Sequence, residues 1–264
     1  MPLVSENRVT QSDAMVFLRT LLHVGIIAIL TVLTQIGGLA WLVALAFRRT
    51  VLAFLILYAS LSAATVFVAP TLGRVPLDCA SQGPLAMQSF FYCVLNRHYV
   101  TPELAQALTD VAVEMDRRYP GTVTLVLDAN FPFLDGFPLL PHLSHDDGEK
   151  VDLAFYYADD RGYLPGATRS PIGYFAFEDG PTTCTPTFPS LRWDLAPLQS
   201  LWADYVPDPR RNRALLNLLA NDPRIGRIFV EPHLIDTWNA AHPNIGFQGC
   251  RAARHDDHIH LQLR

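Results

Sequence analysis

The chain has 264 residues, half of them apolar and only 17% charged, with a net charge of −5. A soluble domain carries about 25% charged residues, so this composition excludes both a disordered chain and an ordinary soluble globule. The mean hydropathy is +0.18, and the informative question is where the apolar excess lies.

Residues 1–21 read as an N-terminal tail that carries Arg8 and Arg19 along with Glu6 and Asp13. Residues 22–47 then contain no Asp, Glu, Lys or Arg, and 19 of the 26 are apolar. Residues 50–69 repeat the pattern, with 16 of 20 apolar, and only Arg48 and Arg49 stand between the two stretches. A bilayer core needs about 20 apolar residues in a helix, so both stretches predict membrane spans. The first is too long for the roughly 7–15-residue apolar region of a signal peptide. Residues 22–72 are therefore expected to form a two-helix transmembrane anchor. Gly25, Gly37 and Gly38 fit packing within that hairpin better than recruitment of a partner. Without the two stretches the remainder is about 44% apolar, an ordinary value.

A two-span hairpin puts both chain ends on one side, and Arg48 and Arg49 favour a cytoplasmic turn. All four cysteines (Cys79, Cys93, Cys184 and Cys250) lie beyond the second span. An even count confined to one domain, without CxxC spacing, points to two disulfides in an oxidising compartment rather than four buried thiols. Sequence does not fix the pairing; Cys79 with Cys93 and Cys184 with Cys250 is the preferred one. The expected location is the cell membrane, the inner one in a Gram-negative cell, with residues 73–264 as an extracytoplasmic (periplasmic) domain. That domain holds 16 Lys plus Arg against 23 Asp plus Glu. No basic run is present, so nucleic acid is excluded as a partner.

Along this domain, Thr101 and Pro102 open a helix as cap and first residue. Leu104, Leu108, Val111, Ala112 and Met115 continue it at helical spacing, and Pro120 and Gly121 end it. Residues 122–127 and 151–157 read as strands. Residues 158–209, rich in Pro and Gly, read as an irregular excursion with a short helix over 198–205, of the length usual for lids and binding walls. A helix over 211–220, a strand over 225–230, a helix over 233–240 and a strand over 258–263 complete the chain. The expected fold is α+β: a small antiparallel sheet with flanking helices that carries a zinc site.

Five of the domain's eight histidines fall in two short segments. In the first, His142 and His145 precede Gly148 and Asp152. A glycine at 148 lets the chain turn sharply into the strand that carries Asp152, so a loop imidazole and a strand carboxylate converge. Asp152 stands among Val151, Leu153, Ala154 and Phe155, and a carboxylate beside a core needs a compensating partner, which a metal supplies. In the second segment, His255 precedes His258 and His260. On a strand His258 and His260 share one face, while Ile259, Leu261 and Leu263 point into the core. Either pattern alone also fits surface histidines or a buried ion pair; together they favour a metal centre. His98, His233 and His242 lack such spacing and read as ordinary core or surface residues.

The two patterns in this order resemble the lysostaphin-type, D-Ala-D-Ala and hedgehog-type zinc metallopeptidases. They are most similar to the penicillin-insensitive murein endopeptidases, with Ile228-Phe229-Val230-Glu231-Pro232 as a further matching segment. The resemblance runs from about residue 122 to the end. It implies zinc held by His145, Asp152 and His260, with His258 as general base. His255 and His142 would line the site, His255 as a second catalytic residue and His142 as a substrate-contacting or supporting one. It also implies peptidoglycan or its peptides as substrate, cleaved by endopeptidase action. A D,D-carboxypeptidase or dipeptidase using the same site is the alternative within the class, and a non-catalytic wall-binding module the alternative outside it. Two features depart from the family: the two-helix anchor in place of a signal peptide, and residues 158–209, which match nothing in it.

Overall fold

The structure, a computed structural model, describes residues 3–185, 188–192 and 195–264. Residues 1–2 of the tail and 186–187 and 193–194 of the excursion lie outside the described residues. The chain divides into two compact units, Met1–Phe67 and Val68–Arg264.

In the first unit, α1 (Leu3–Thr34) is followed by α2 (Gly37–Ala44) and α3 (Thr50–Val68), and a 3-10 turn (Ala69–Leu72) that extends α3 opens the second unit. Two segments, Asp13–Thr34 and Thr50–Leu72, are long and apolar enough to cross a membrane. The reading of residues 22–47 as one span needs correction. Gln35 takes a left-handed backbone conformation, φ 66°, and the chain reverses there. The eight residues of α2 then run back along α1. Gly38 lies so close to α1 that a Cβ would meet Thr31 Oγ1 at 1.9 Å and the Ile27 carbonyl at 2.6 Å. Thr34 Oγ1 accepts from the Gly37 amide at 2.8 Å, and Trp41 Nε1 donates to His23 Nδ1 at 3.4 Å. The two glycines thus make the close approach possible, and the turn bearing Arg48 and Arg49 joins α2, not α1, to α3. Trp41 then packs on Phe54 of α3, with ring centroids 5.3 Å apart. Residues 3–21 are helical and continuous with the rest of α1.

The second unit contains, in chain order, β1 (Val75–Pro76), β2 (Leu85–Met87), α4 (Phe90–Val94), β3 (Tyr99–Val100), α5 (Pro102–Arg118), β4 (Thr124–Val126), β5 (Lys150–Ala154), β6 (Tyr157–Asp159), β7 (Gly162–Tyr163), α6 (Ala196–Gln199), β8 (Val206–Pro207), α7 (Pro209–Asn221), β9 (Ile225–Phe229), α8 (Pro232–Thr237), β10 (Ile245–Gly246) and β11 (His258–Leu263). It is α+β as expected. The central sheet has the order β10-β9-β11-β5-β4-β2. Its four middle strands pair antiparallel, whereas the edge strands β2 and β10 pair parallel to β4 and β9, so the sheet is mixed rather than purely antiparallel. Both disulfides form, Cys79–Cys93 and Cys184–Cys250.

Two amphipathic helices cover one sheet face. Thr101 caps α5 by accepting from the Leu104 amide; Asp208 caps α7, which opens at Pro209, two residues before its expected start. Leu104, Leu108 and Met115 of α5 and Leu215 and Leu219 of α7 meet Leu153, Ile259 and Leu261 of the sheet in one buried core. The expected helix over 198–205 shrinks to α6. The excursion's start and end are instead held by the small β7-β6-β8 sheet. Asn212, buried on α7, fixes the chain just ahead of that excursion by bonding both the amide and the carbonyl of Tyr156.

Candidate metal centre

The alternation of β11 and β5 builds the site. With Ile259 and Leu261 committed to the helix side, His258 and His260 face the opposite side. His260 pairs in register with Asp152 on β5 and with Phe229 on β9. Asp152, His145, His258 and His260 are all buried. The loop before β5 delivers His145 through the turn at Gly148, which has φ 84° and abuts the Arg74 side chain so closely that a Cβ would lie 2.6 Å from its Nε.

Three ligand atoms converge. His145 Nε2 lies 3.2 Å from Asp152 Oδ1, His260 Nδ1 lies 2.9 Å from the same oxygen, and the two nitrogens are 3.0 Å apart. Tetrahedral zinc with ligands at about 2.0–2.1 Å places its ligand atoms about 3.3 Å from one another. The triangle therefore has the size of one face of such a tetrahedron. The donor chemistry fits as well. His145 Nδ1 lies 2.8 Å from the Ala129 carbonyl and donates to it, so in the neutral ring Nε2 is the nitrogen with the lone pair, and it faces a carboxylate oxygen. Two electron-rich atoms at that separation need a cation or a proton between them. His142 adds a second grouping with His145 and Asp152 that can hold a metal ion. Its Nδ1 sits 2.5 Å from Asp152 Oδ2, the oxygen turned away from the triangle.

The remaining groups orient these. Asp257 Oδ1 is 2.5 Å from His258 Nδ1, and Asp257 is itself fixed by the Phe175 amide at 2.7 Å. His258 Nδ1–H donates to Asp257, leaving Nε2 toward the centre, 3.7 Å from Asp152 Oδ2. Burial works to lower the His258 pKa, but the Asp152 and Asp257 carboxylates prevail and raise it to about 9. His255, whose ring centroid lies 4.9 Å from that of His258, is pushed well below the usual histidine value by burial and then by its histidine neighbours. Its Nδ1 is a buried atom without a hydrogen-bond partner among the described residues. Burial opposes ionisation of Asp152, yet His145, His258 and His142 hold its carboxyl well below the ordinary range.

The histidines and Asp152 that the sequence singles out all assemble here; His98 and His233 are buried apart from the cluster. Four partners carry no periodic signal. Tyr174, from the irregular excursion, donates to Asp152 Oδ2 at 2.7 Å and accepts from the Asp128 amide at 3.2 Å. Its ring stands edge-on to His142 and His258. Asp128 is held by a bidentate pair with buried Arg97. Asp257 is the one the sequence signals, by standing directly before His258 in His255-Asp256-Asp257-His258. The cluster opens into a cleft whose walls include Leu143, Leu191, Gln248 and Ala253. The chain matches no protein-family model and no curated protein.

Proposed function

We propose that this chain is a membrane-anchored zinc peptidase that hydrolyses peptide bonds of peptidoglycan outside the cytoplasm. The observation that carries the reading is the joint geometry. Three ligand atoms form a triangle of 2.9–3.2 Å edges, beside a histidine whose free nitrogen is aimed at the same carboxylate. His145, Asp152 and His260 would hold the ion and leave its fourth side toward the cleft. Zinc in such a site supplies an acidified water and a polarised carbonyl.

The chain's own residues do the rest. His258 Nε2 takes the proton of the attacking water and returns it to the leaving amine. Asp257 keeps the imidazole in the tautomer this needs. The high proton affinity of His258 stems from two carboxylates; once the Asp152 charge is shared with a bound cation, the imidazole is free to act as base near neutral pH. His255, neutral and close by, is placed to donate to the oxyanion that develops on the scissile carbonyl. The Tyr174 hydroxyl fixes the Asp152 carboxylate. Two apolar segments of membrane-crossing length and two disulfides support an anchored, extracytoplasmic enzyme, where the polymer substrate lies.

The test is direct. Full-length protein purified in detergent should carry about one zinc per chain and should cut cross-linked muropeptide dimers, with the bond identified by product mass. Absence of stoichiometric zinc, or undiminished cleavage by His258→Ala, would rule the reading out.

A further inference from the structure

The second unit carries one helix with its polarity reversed. On α4, Tyr92 and Cys93 are buried, whereas Phe90, Phe91 and Val94 are 69%, 50% and 45% exposed. Positions i, i+1 and i+4 share one side of a helix, so these three form a single outward apolar face. No charged residue occurs anywhere from 79 to 96, and Arg97, the next one, is turned inward onto Asp128. Two adjacent exposed aromatic side chains on a short helix, within a stretch of sequence that carries no charge, mark contact with another phase or partner.

The covalent frame says which. The apolar segment Thr50–Leu72 leads within three residues to β1, a reach of at most about 10 Å. β1 is paired residue for residue with β3: Val75 with Val100 and Pro76 with Tyr99. The Leu77 amide continues the ladder to the His98 carbonyl at 2.8 Å. Two residues later, Cys79 is bonded to Cys93 of α4 itself. The strand that leaves the apolar segment is thus stitched by a disulfide to the C-terminal half of α4 and by a ladder to β3, which follows it.

We propose that α4 is a second membrane contact, its Phe90, Phe91 and Val94 side chains inserting into the headgroup and acyl boundary beside the point where the chain leaves the bilayer. Such interfacial helices bury a short apolar face to a depth of about 5–10 Å. The contact gives the second unit a membrane support of its own, besides its covalent link to Thr50–Leu72. This inference rests on the anchoring of Thr50–Leu72 and is independent of the metal centre.

The experiment uses the full chain in nanodiscs of phosphatidylethanolamine and phosphatidylglycerol. A benzophenone amino acid replaces, in separate samples, Phe91 on α4, Leu55 in the apolar segment, or Val113 on the exposed side of α5. After irradiation, peptide masses identify what was captured. Phospholipid adducts are expected at 91 and 55, with the yield at 91 at least about tenfold above that at 113. A position 91 that behaves like 113 while 55 captures lipid overturns the contact and leaves the anchor standing. Capture at 91 of a second copy of the chain overturns it in favour of a protein interface. Failure at 55 as well removes the anchor and the contact with it. A non-reducing peptide map showing an intact Cys79–Cys93 bond in each sample keeps misfolding from imitating any of these results.

Discussion

The side chains that touch the centre have separable jobs, and substitutions should separate them. His258 makes no edge of the ligand triangle, so His258→Ala should keep the zinc content while lowering kcat on muropeptides by roughly 10²–10⁴-fold, the usual share of a general base. His145→Ala, in contrast, should lose the metal itself; elemental analysis beside turnover distinguishes the two, and metal loss in both variants would mean that His258 is a ligand instead. Tyr174→Phe removes only the hydroxyl that donates to Asp152 Oδ2 at 2.7 Å. Partners of metal ligands contribute about 10–100-fold in affinity or activity, so a weakening of that order in a zinc competition assay is expected, with unchanged affinity denying Tyr174 the role. Away from the site, burial pushes the His98 pKa down to about 4. The unfolded chain then binds the proton more readily than the folded one. Stability linked to His98 is therefore full above its ordinary value near 6.5 and is lost as pH falls through 6.5 toward about 4, amounting to about 2 kcal/mol by pH 5. Denaturant midpoints at pH 7.5 and 5 should show this loss in the wild type, over and above that of His98→Phe; equal losses would show that His98 does not couple to folding.

Elements differ in how openly the sequence announces them. β11 was legible to the residue, because strict alternation over six positions leaves one register: Ile259 and Leu261 fully buried, His258 and His260 on the opposite side. α5 was legible from its cap and apolar spacing, whereas α7 was legible as a helix but not in its Asp208 cap, so its expected start fell two residues late. The strands β2, β3 and β10 are two or three residues long, too short for a period to show, and their pairing is imposed by neighbours. The reversal at Gln35 was hidden for a related reason: an uninterrupted apolar run has no face, so nothing in it tells a straight helix from one doubled back through Gly37 and Gly38. Tyr174 went unseen because an irregular segment has no repeat to read, although its ring packs with Leu125, Leu127 and Ala154 in a small second core. The visible alternation makes a further claim. Ile259 is fully buried between His258 and His260, so Ile259→Ala should destabilise the fold by about 2–5 kcal/mol. Gln262→Ala, at a half-buried position near the strand's end, should fall within about 0.5 kcal/mol. Urea denaturation decides, and similar values for the two would mean that the alternation does not set which side packs.

At the scale of the whole molecule, composition and covalent links argue together for a compartment. Cys184–Cys250 spans 66 residues, against 14 for Cys79–Cys93. It joins the excursion that supplies Tyr174 to the segment that leads into His255 and His258, so it closes the centre as well as the chain. In the chain-entropy account, the long loop contributes about 4 kcal/mol and the short one about 3. Cys184→Ser with Cys250→Ser should therefore lower stability more than the Cys79 and Cys93 pair, and should lower turnover at temperatures where the fold still holds. Bonds of this kind are characteristic of oxidising surroundings, which supports the proposed placement of the second unit on the outer side of the membrane. Intact spheroplasts test that side. A membrane-impermeant maleimide should label no cysteine at first and all four after an impermeant phosphine is added and the chain is unfolded outside the cells. Labelling that requires lysis would place residues 73–264 in the cytoplasm, and peptidoglycan would then be out of reach of a centre whose geometry was unchanged.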